Sequence, residues 1–153
     1  MEIDKNLTNM EMKRILTDVI DLFLKPHFLS LGLDASGLWL STIEARGDTI
    51  WGQPYTAQLV YGRSPGTFAP IAPLKRWAQI KLGMSEKQAL SIAFAISNKL
   101  KKEGSEIYKK GGTDLLAILS SPQVVGFINL HLKNFIELQI VIFMKQQFAD
   151  NFK

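Results

Sequence analysis

At 153 residues the chain has room for one hydrophobic core and hardly for two, since a domain usually takes roughly 100–200 residues. Hydrophobic residues make up 46% and charged ones 21%, with mean hydropathy +0.06, which excludes a disordered chain and leaves apolar surface that a partner is expected to cover. The net charge of +4 rests on one middle segment: Lys/Arg against Asp/Glu run five to eight over residues 1–62, ten to three over 63–110 and three to three over 111–153. The absence of cysteine excludes disulfides, thiolate metal sites and cysteine nucleophiles, and two histidines, His27 and His131, all but exclude a multi-histidine metal site.

The first predicted element is a helix over about residues 9–31. Thr8 and Glu11 have the spacing of a capping box, and Met12, Ile15, Leu16, Val19, Ile20 and Phe23 form its apolar stripe. Pro26 interrupts the ladder and Gly32 stops it. A β-hairpin is predicted over 38–52. Strands 38–46 and 49–52 flank Gly47-Asp48, with Trp39, Ser41, Ile43 and Ala45 on one face and Leu40, Thr42, Glu44 and Arg46 on the other.

A short helix follows over 55–61, then a loop over 62–70 rich in Gly and Pro. A helix over 73–82 is expected to bury Leu74, Trp77, Ala78 and Ile80 and to end at Gly83. Ser85 and Gln88 make a second capping box, opening a helix to Lys102 with a narrow stripe of Ala89, Ile92, Ala93, Ile96 and Leu100, closed by Gly104. Residues 105–121 fit no single pattern. From Pro122 a helix face of Val125, Ile128, Leu132, Phe135 and Ile136 reaches about Lys133. Beyond it the FIELQIVIFM run reads either as more helix or as a strand that joins the hairpin.

The N-terminal stretch is charged where a signal peptide is apolar, and the run 135–144, broken by Glu137 and Gln139, falls short of the ~20 residues that span a bilayer. Folding in a cytoplasm with no membrane partner is the expectation. Catalytic templates fail in turn. His27, beside Pro26 on the first helix, and His131, in the apolar C-terminal region, read as helix-surface or core histidines rather than general bases, Asp18 and Asp21 face solvent, and no P-loop or dinucleotide fingerprint occurs. No enzyme, cofactor or metal site is expected. The basic residues Lys99, Lys101, Lys102, Lys109 and Lys110 cluster at a helix end and loop, where they could neutralise phosphates, but Glu103 and Glu106 sit among them and only Tyr108 offers an aromatic platform.

One ordered series of motifs is more specific. Ala35-Ser36-Gly37 is followed by Ser41 and Glu44, then Ile50-Trp51-Gly52 and Tyr55-Thr56-Ala57. Tyr61-Gly62-Arg63-Ser64-Pro65-Gly66 comes next, then Pro70 and the spaced set Leu74, Trp77 and Lys81. Ala89, Ala93 and Ile96 lead to Glu103-Gly104-Ser105. In order and spacing this resembles the head–tail connector and tail-completion (neck, minor tail) proteins of tailed bacteriophages, over roughly residues 8–110. Val60 stands where that family often has Glu, and Ser105 where it has Thr.

The resemblance implies a structural virion protein, a homo-oligomeric ring at the portal–tail junction around the channel through which DNA leaves. Its partners would be copies of itself, portal or adaptor proteins and tail-tube or tail-hub proteins, with incidental contact to channel DNA, and its location the virion after assembly in the host cytoplasm. Arg63, Lys75, Arg76, Lys99, Lys101, Lys102, Lys109 and Lys110 are the candidate interface or loop-clamp residues. Gly37, Tyr55, Gly62, Pro65, Gly66, Pro70, Trp77 and Gly104 are the motif positions that shape the fold.

For Arg63 both an intersubunit ion pair and an intrachain loop clamp stand open, and Trp77 is expected in the core, packing its helix onto the hairpin. The fold expected is a single α+β domain, residues 1–153. An N-terminal helix and two central helices cover a small antiparallel sheet over 8–110, and 111–153 form an apolar extension for packing or oligomerisation. The alternatives are a small basic DNA-binding or DNA-packaging accessory protein and a regulatory interaction module of antitoxin type.

Overall fold

The computed structural model describes residues 4–33 and 37–151, so Ala35 and Ser36 of the first motif lie outside the described residues. The protein is α+β, mostly helical with one two-stranded antiparallel sheet and a long apolar C-terminal helix. The chain divides into two compact units. The first comprises Met1–Pro26, Ile43–Trp51 and Ala117–Lys153, the second His27–Thr42 and Gly52–Leu116. The C-terminal segment therefore groups with the N-terminal helix and the hairpin, a division that does not follow the 8–110 and 111–153 boundary.

In the first unit, helix α1 (Lys5–Val19) starts a turn ahead of its predicted beginning because Asp4 caps it, its carboxylate accepting from the Asn6 amide at 2.7 Å. Thr8 and Glu11 are thus inside the helix: the Thr8 hydroxyl donates to the Asp4 carbonyl, and Glu11 is held by Arg14. Of the predicted stripe, Ile15, Leu16, Val19 and Ile20 are buried, while Met12 and Phe23 are only half-buried and Leu24 takes the next core position. The interruption expected at Pro26 takes the form of a π-helical turn, Ile20–Leu24, where the Lys25 amide reaches back five residues to the Ile20 carbonyl before α2 (Lys25–Ser30) resumes. Proline has no N–H to give and crowds the carbonyl four residues before it, and a widened turn relieves both.

Strands β1 (Glu44–Arg46) and β2 (Thr49–Trp51) pair with Arg46 opposite Thr49, leaving Gly47-Asp48 as the predicted two-residue turn, Gly47 at φ +60°. Ala45 faces inward and the hairpin packs against α1. A 3₁₀ turn (Ala117–Ser120) leads into α8 (Pro122–Asn151), which also packs against α1, with Phe23 edge-on to Phe127 at 5.5 Å. Val124 is the fully buried residue of α8, while its neighbour Val125 is 45% exposed. The strand alternative for 135–144 is not adopted. Residues 127–151 contain no glycine or proline to break a helix, and the sheet stays two-stranded among the described residues.

The second unit corrects the start of the predicted strand. Residues 38–42 form a helical turn, α3 (Leu38–Thr42), in which the Ser41 and Thr42 hydroxyls bond back to the Leu38 and Trp39 carbonyls, the local competition that such side chains offer against extended structure. Trp39 is buried there, stacked on Phe28 at 4.3 Å, and its indole N–H donates to Thr56 Oγ1 at 2.9 Å.

Helices α4 (Thr56–Tyr61), α5 (Ile71–Leu82), α6 (Glu86–Glu103) and α7 (Glu106–Lys109) follow. The Ser85/Gln88 capping box opens α6 as predicted, and α5 ends on Gly83 in the left-handed region. These two helices pack on one another through small residues: Ala78, Ala89 and Ala93 are wholly buried, with Ser97. Leu74 and Ala78, one turn apart, set the inward stripe of α5. Trp77 flanks it at 37% exposure, so its expected place in the core is not observed.

Candidate functional site

The two motif segments that lie 42 positions apart in sequence meet in space. Gly62 closes α4 and Gly104 closes α6, each donating to the carbonyl four residues back and each at positive φ, +75° and +77°. The next residues then bond to each other. The Arg63 amide donates to Ser105 Oγ and the Ser105 amide to the Arg63 carbonyl, both at 2.8 Å, while the Gly66 amide donates to the Lys101 carbonyl. Ser105 Oγ also accepts from the Tyr108 amide, capping α7. Glycine is required twice over at both positions. A Cβ at Gly62 would collide with the Tyr108 amide and lie 2.7 Å from Ser105 Oγ, and one at Gly104 would lie 2.8 Å from the Arg63 carbonyl.

Within its own chain Arg63 clamps a loop. Its Nη2 donates to the Phe68 carbonyl at 2.7 Å and to Thr67 Oγ1 at 3.2 Å, holding the loop that carries Pro65, Gly66 and Ala69. Its Nε is buried and has no hydrogen-bond partner. Beside it opens a cavity of about 540 Å³ within the second unit, walled by Phe28, Trp39, Leu59, Leu74, Leu100 and Ile107, with Pro70 and Ser105 at its edge. Tyr55 lines the same cavity, and its Oη is likewise buried without a partner. The Ser97 hydroxyl completes the support, donating to the carbonyl of buried Ala69 at 2.8 Å.

Of the remaining cations, Lys99, Lys102 and Lys109 gather around Glu103. Lys75 is paired with Glu86, and Lys109 with Glu103 and Glu106 at 2.8 and 3.1 Å. Those contacts hold the Glu86 and Glu103 carboxyls below the usual carboxylate range and the Lys109 ammonium above its own. Lys101 lies over the Phe68 ring at 4.0 Å, and Arg76, Lys99, Lys102 and Lys110 are exposed. Among the described residues no group of three or more His, Asp or Glu side chains could hold a metal. His27 lies near the Asp114 carbonyl and carboxylate, and His131 packs on Phe127 with Arg14 nearby.

A second feature is a surface. From residue 136 onward nearly every side chain of α8 is exposed, and Ile136, Leu138, Ile140, Val141, Ile142, Phe143, Met144 and Phe148 lie on all sides of it. The stretch read as too short for a membrane span belongs to a helix of 30 residues, with an 18-residue window of mean hydropathy 1.3, none of it buried, which is long and apolar enough to cross a membrane by length and composition.

The sequence points to Arg63, Tyr55, Gly62 and Gly104 but not to Ser105 as the residue that bonds to Arg63 and caps α7. The Ser-Glu-x-x pattern before a four-residue helix was the available signal. The chain matches no protein-family model, no curated protein and no solved structure.

Proposed function

We propose that the protein is a structural subunit of a homo-oligomeric ring at the head–tail junction of a tailed phage. The observation that carries this reading is the uncovered distal half of α8. Five consecutive apolar residues, 140–144, at 100° per residue turn through more than a full circle, so a single neighbour cannot bury them. A ring supplies two neighbours to each subunit, and its heterologous contacts need different faces of one chain to be complementary. The uneven charge suits this: the second unit holds ten Lys/Arg and five Asp/Glu, the first eight and nine. The ordered motifs from Gly37 to Ser105 add their likeness to the connector family.

A second reading, attachment to a bilayer through α8, is favoured by that helix's length and apolarity. Against it, His131, Lys133, Asn134, Glu137 and Gln139 fall inside the stretch, and neighbouring protein chains accept such groups more readily than hydrocarbon does.

The deciding experiment combines light scattering of the purified chain, alone and with portal protein, with antibody labelling of intact particles. Ring-sized oligomers and label at the neck support the proposal. A monomer that floats with liposomes, or one that binds duplex DNA with steep salt dependence, overturns it.

A further inference from the structure

We propose that the distal half of α8 pairs with the same helix of a second copy, the two running antiparallel and crossing at Val141. Between residues 134 and 149 the helix carries only two charges, Glu137 and Lys145, and Val141 lies midway between them. On a helix, residues spaced by four and eight share one side, within about 80° of each other, so Glu137, Val141 and Lys145 mark a single strip. Leu130, Leu138 and Met144 lie on or beside that strip, and they and Val141 are each 46–56% exposed. Within its own chain Glu137 has Lys133 at 3.8 Å, the two side chains 60% and 70% exposed. Lys145 is exposed and makes no ion pair among the described residues.

This strip is its own complement. Turned end for end about Val141, a second copy sets its Lys145 level with Glu137 and its Glu137 level with Lys145. Each attraction then occurs twice, as a two-fold interface requires. A parallel pair would set Glu137 against Glu137 and Lys145 against Lys145, and charges flanking an apolar seam are what fix the orientation of paired helices. A bilayer would have to take both charges among the apolar residues and would offer neither a partner. Exposed ion pairs add little affinity, so the charges set the direction of the pair, the apolar strip supplies the attraction, and the chains separate on dilution. The pair covers this strip alone. Ile136, Ile140 and Phe143, round the other side of the helix, stay open to further neighbours. The inference does not depend on the ring proposal, since a two-fold pair forms with or without a ring.

The full chain contains no cysteine, so introduced ones report the pairing without interference. Under mild oxidation Val141→Cys should form a disulfide with its own copy. Glu137→Cys and Lys145→Cys should each stay single alone and should join to one another when mixed. Sedimentation equilibrium supplies the charge test. Glu137→Lys or Lys145→Glu alone turns two attractions into two repulsions and should weaken self-association about tenfold, while both exchanges in one chain should restore it. Helical circular dichroism should match the parent in every variant, since each site is exposed. Self-linking of Glu137→Cys or of Lys145→Cys, a double exchange no better than the single ones, or a chain that stays monomeric at high concentration overturns the proposal. Binding to liposomes in place of self-association overturns it in favour of the bilayer. The crosslinks read neighbouring residues and not particle mass, so the absence of a ring leaves their result standing.

Discussion

A methyl group added at Gly62 would run into the Tyr108 amide, and one at Gly104 would lie 2.8 Å from the Arg63 carbonyl. Alanine at either position therefore meets both steric overlap and a positive φ, and each variant should lose more than about 1 kcal/mol of stability in urea unfolding. Ser97→Ala strands the Ala69 carbonyl inside the second unit and should cost about 1–3 kcal/mol by the same measurement. Glu11 gives a pH prediction. Its hydrogen bond to Arg14 holds its pKa below the ordinary carboxylate value, so the stabilisation is present above that ordinary value and fades as pH falls through the lowered one. Arg14→Ala should abolish this part of the acid dependence, and carbon NMR of the Glu11 carboxyl should show its titration move up toward normal. The glycine pair was legible as a motif because backbone geometry leaves a compositional trace. The orphaned Nε and Oη were not, since whether a polar atom finds a partner depends on contacts between segments far apart in the chain.

Among the elements, those with a local cause are legible in the sequence. The Gly47-Asp48 turn, the Ser85/Gln88 box and the Gly83 stop each depend on a few adjacent residues. The differences arise where two local patterns compete. Residues 38–46 alternate like a strand, yet Ser41 and Thr42 bond to their own backbone and Trp39 finds Phe28, so half the segment coils. In 135–144, Glu137 and Gln139 mimic alternation, but nothing breaks the helix begun at Pro122. The distal part of α8 owes nothing to burial in its own subunit, so Ile140→Lys with Ile142→Lys should leave the helical circular dichroism nearly intact. On the ring proposal, the same pair should shift the particle mass from oligomer to monomer in light scattering.

Across the whole molecule, the excess of Lys and Arg belongs to the second unit and the uncovered apolar helix to the first, while the second unit also exposes apolar side chains such as Leu82, Leu90 and Phe94. On the ring proposal, incorporation into a larger particle should hide the distal part of α8. Limited trypsinolysis should cut after Lys145 in the isolated chain and spare that bond in assembled particles, while exposed Lys99 and Lys102 report on the other unit.

The meeting of Arg63 with Ser105 also has a genetic consequence. Everything from Ser64 to Gly104, helices α5 and α6 included, leaves and returns through one doorway that a pair of hydrogen bonds holds shut. Such a segment is a cassette: its tip between Leu82 and Ser85 can be lengthened, or its outer faces exchanged for those of another lineage, without re-threading the rest of the chain. Diversity among descendants of this gene should accumulate at that tip, with the doorway itself held constant.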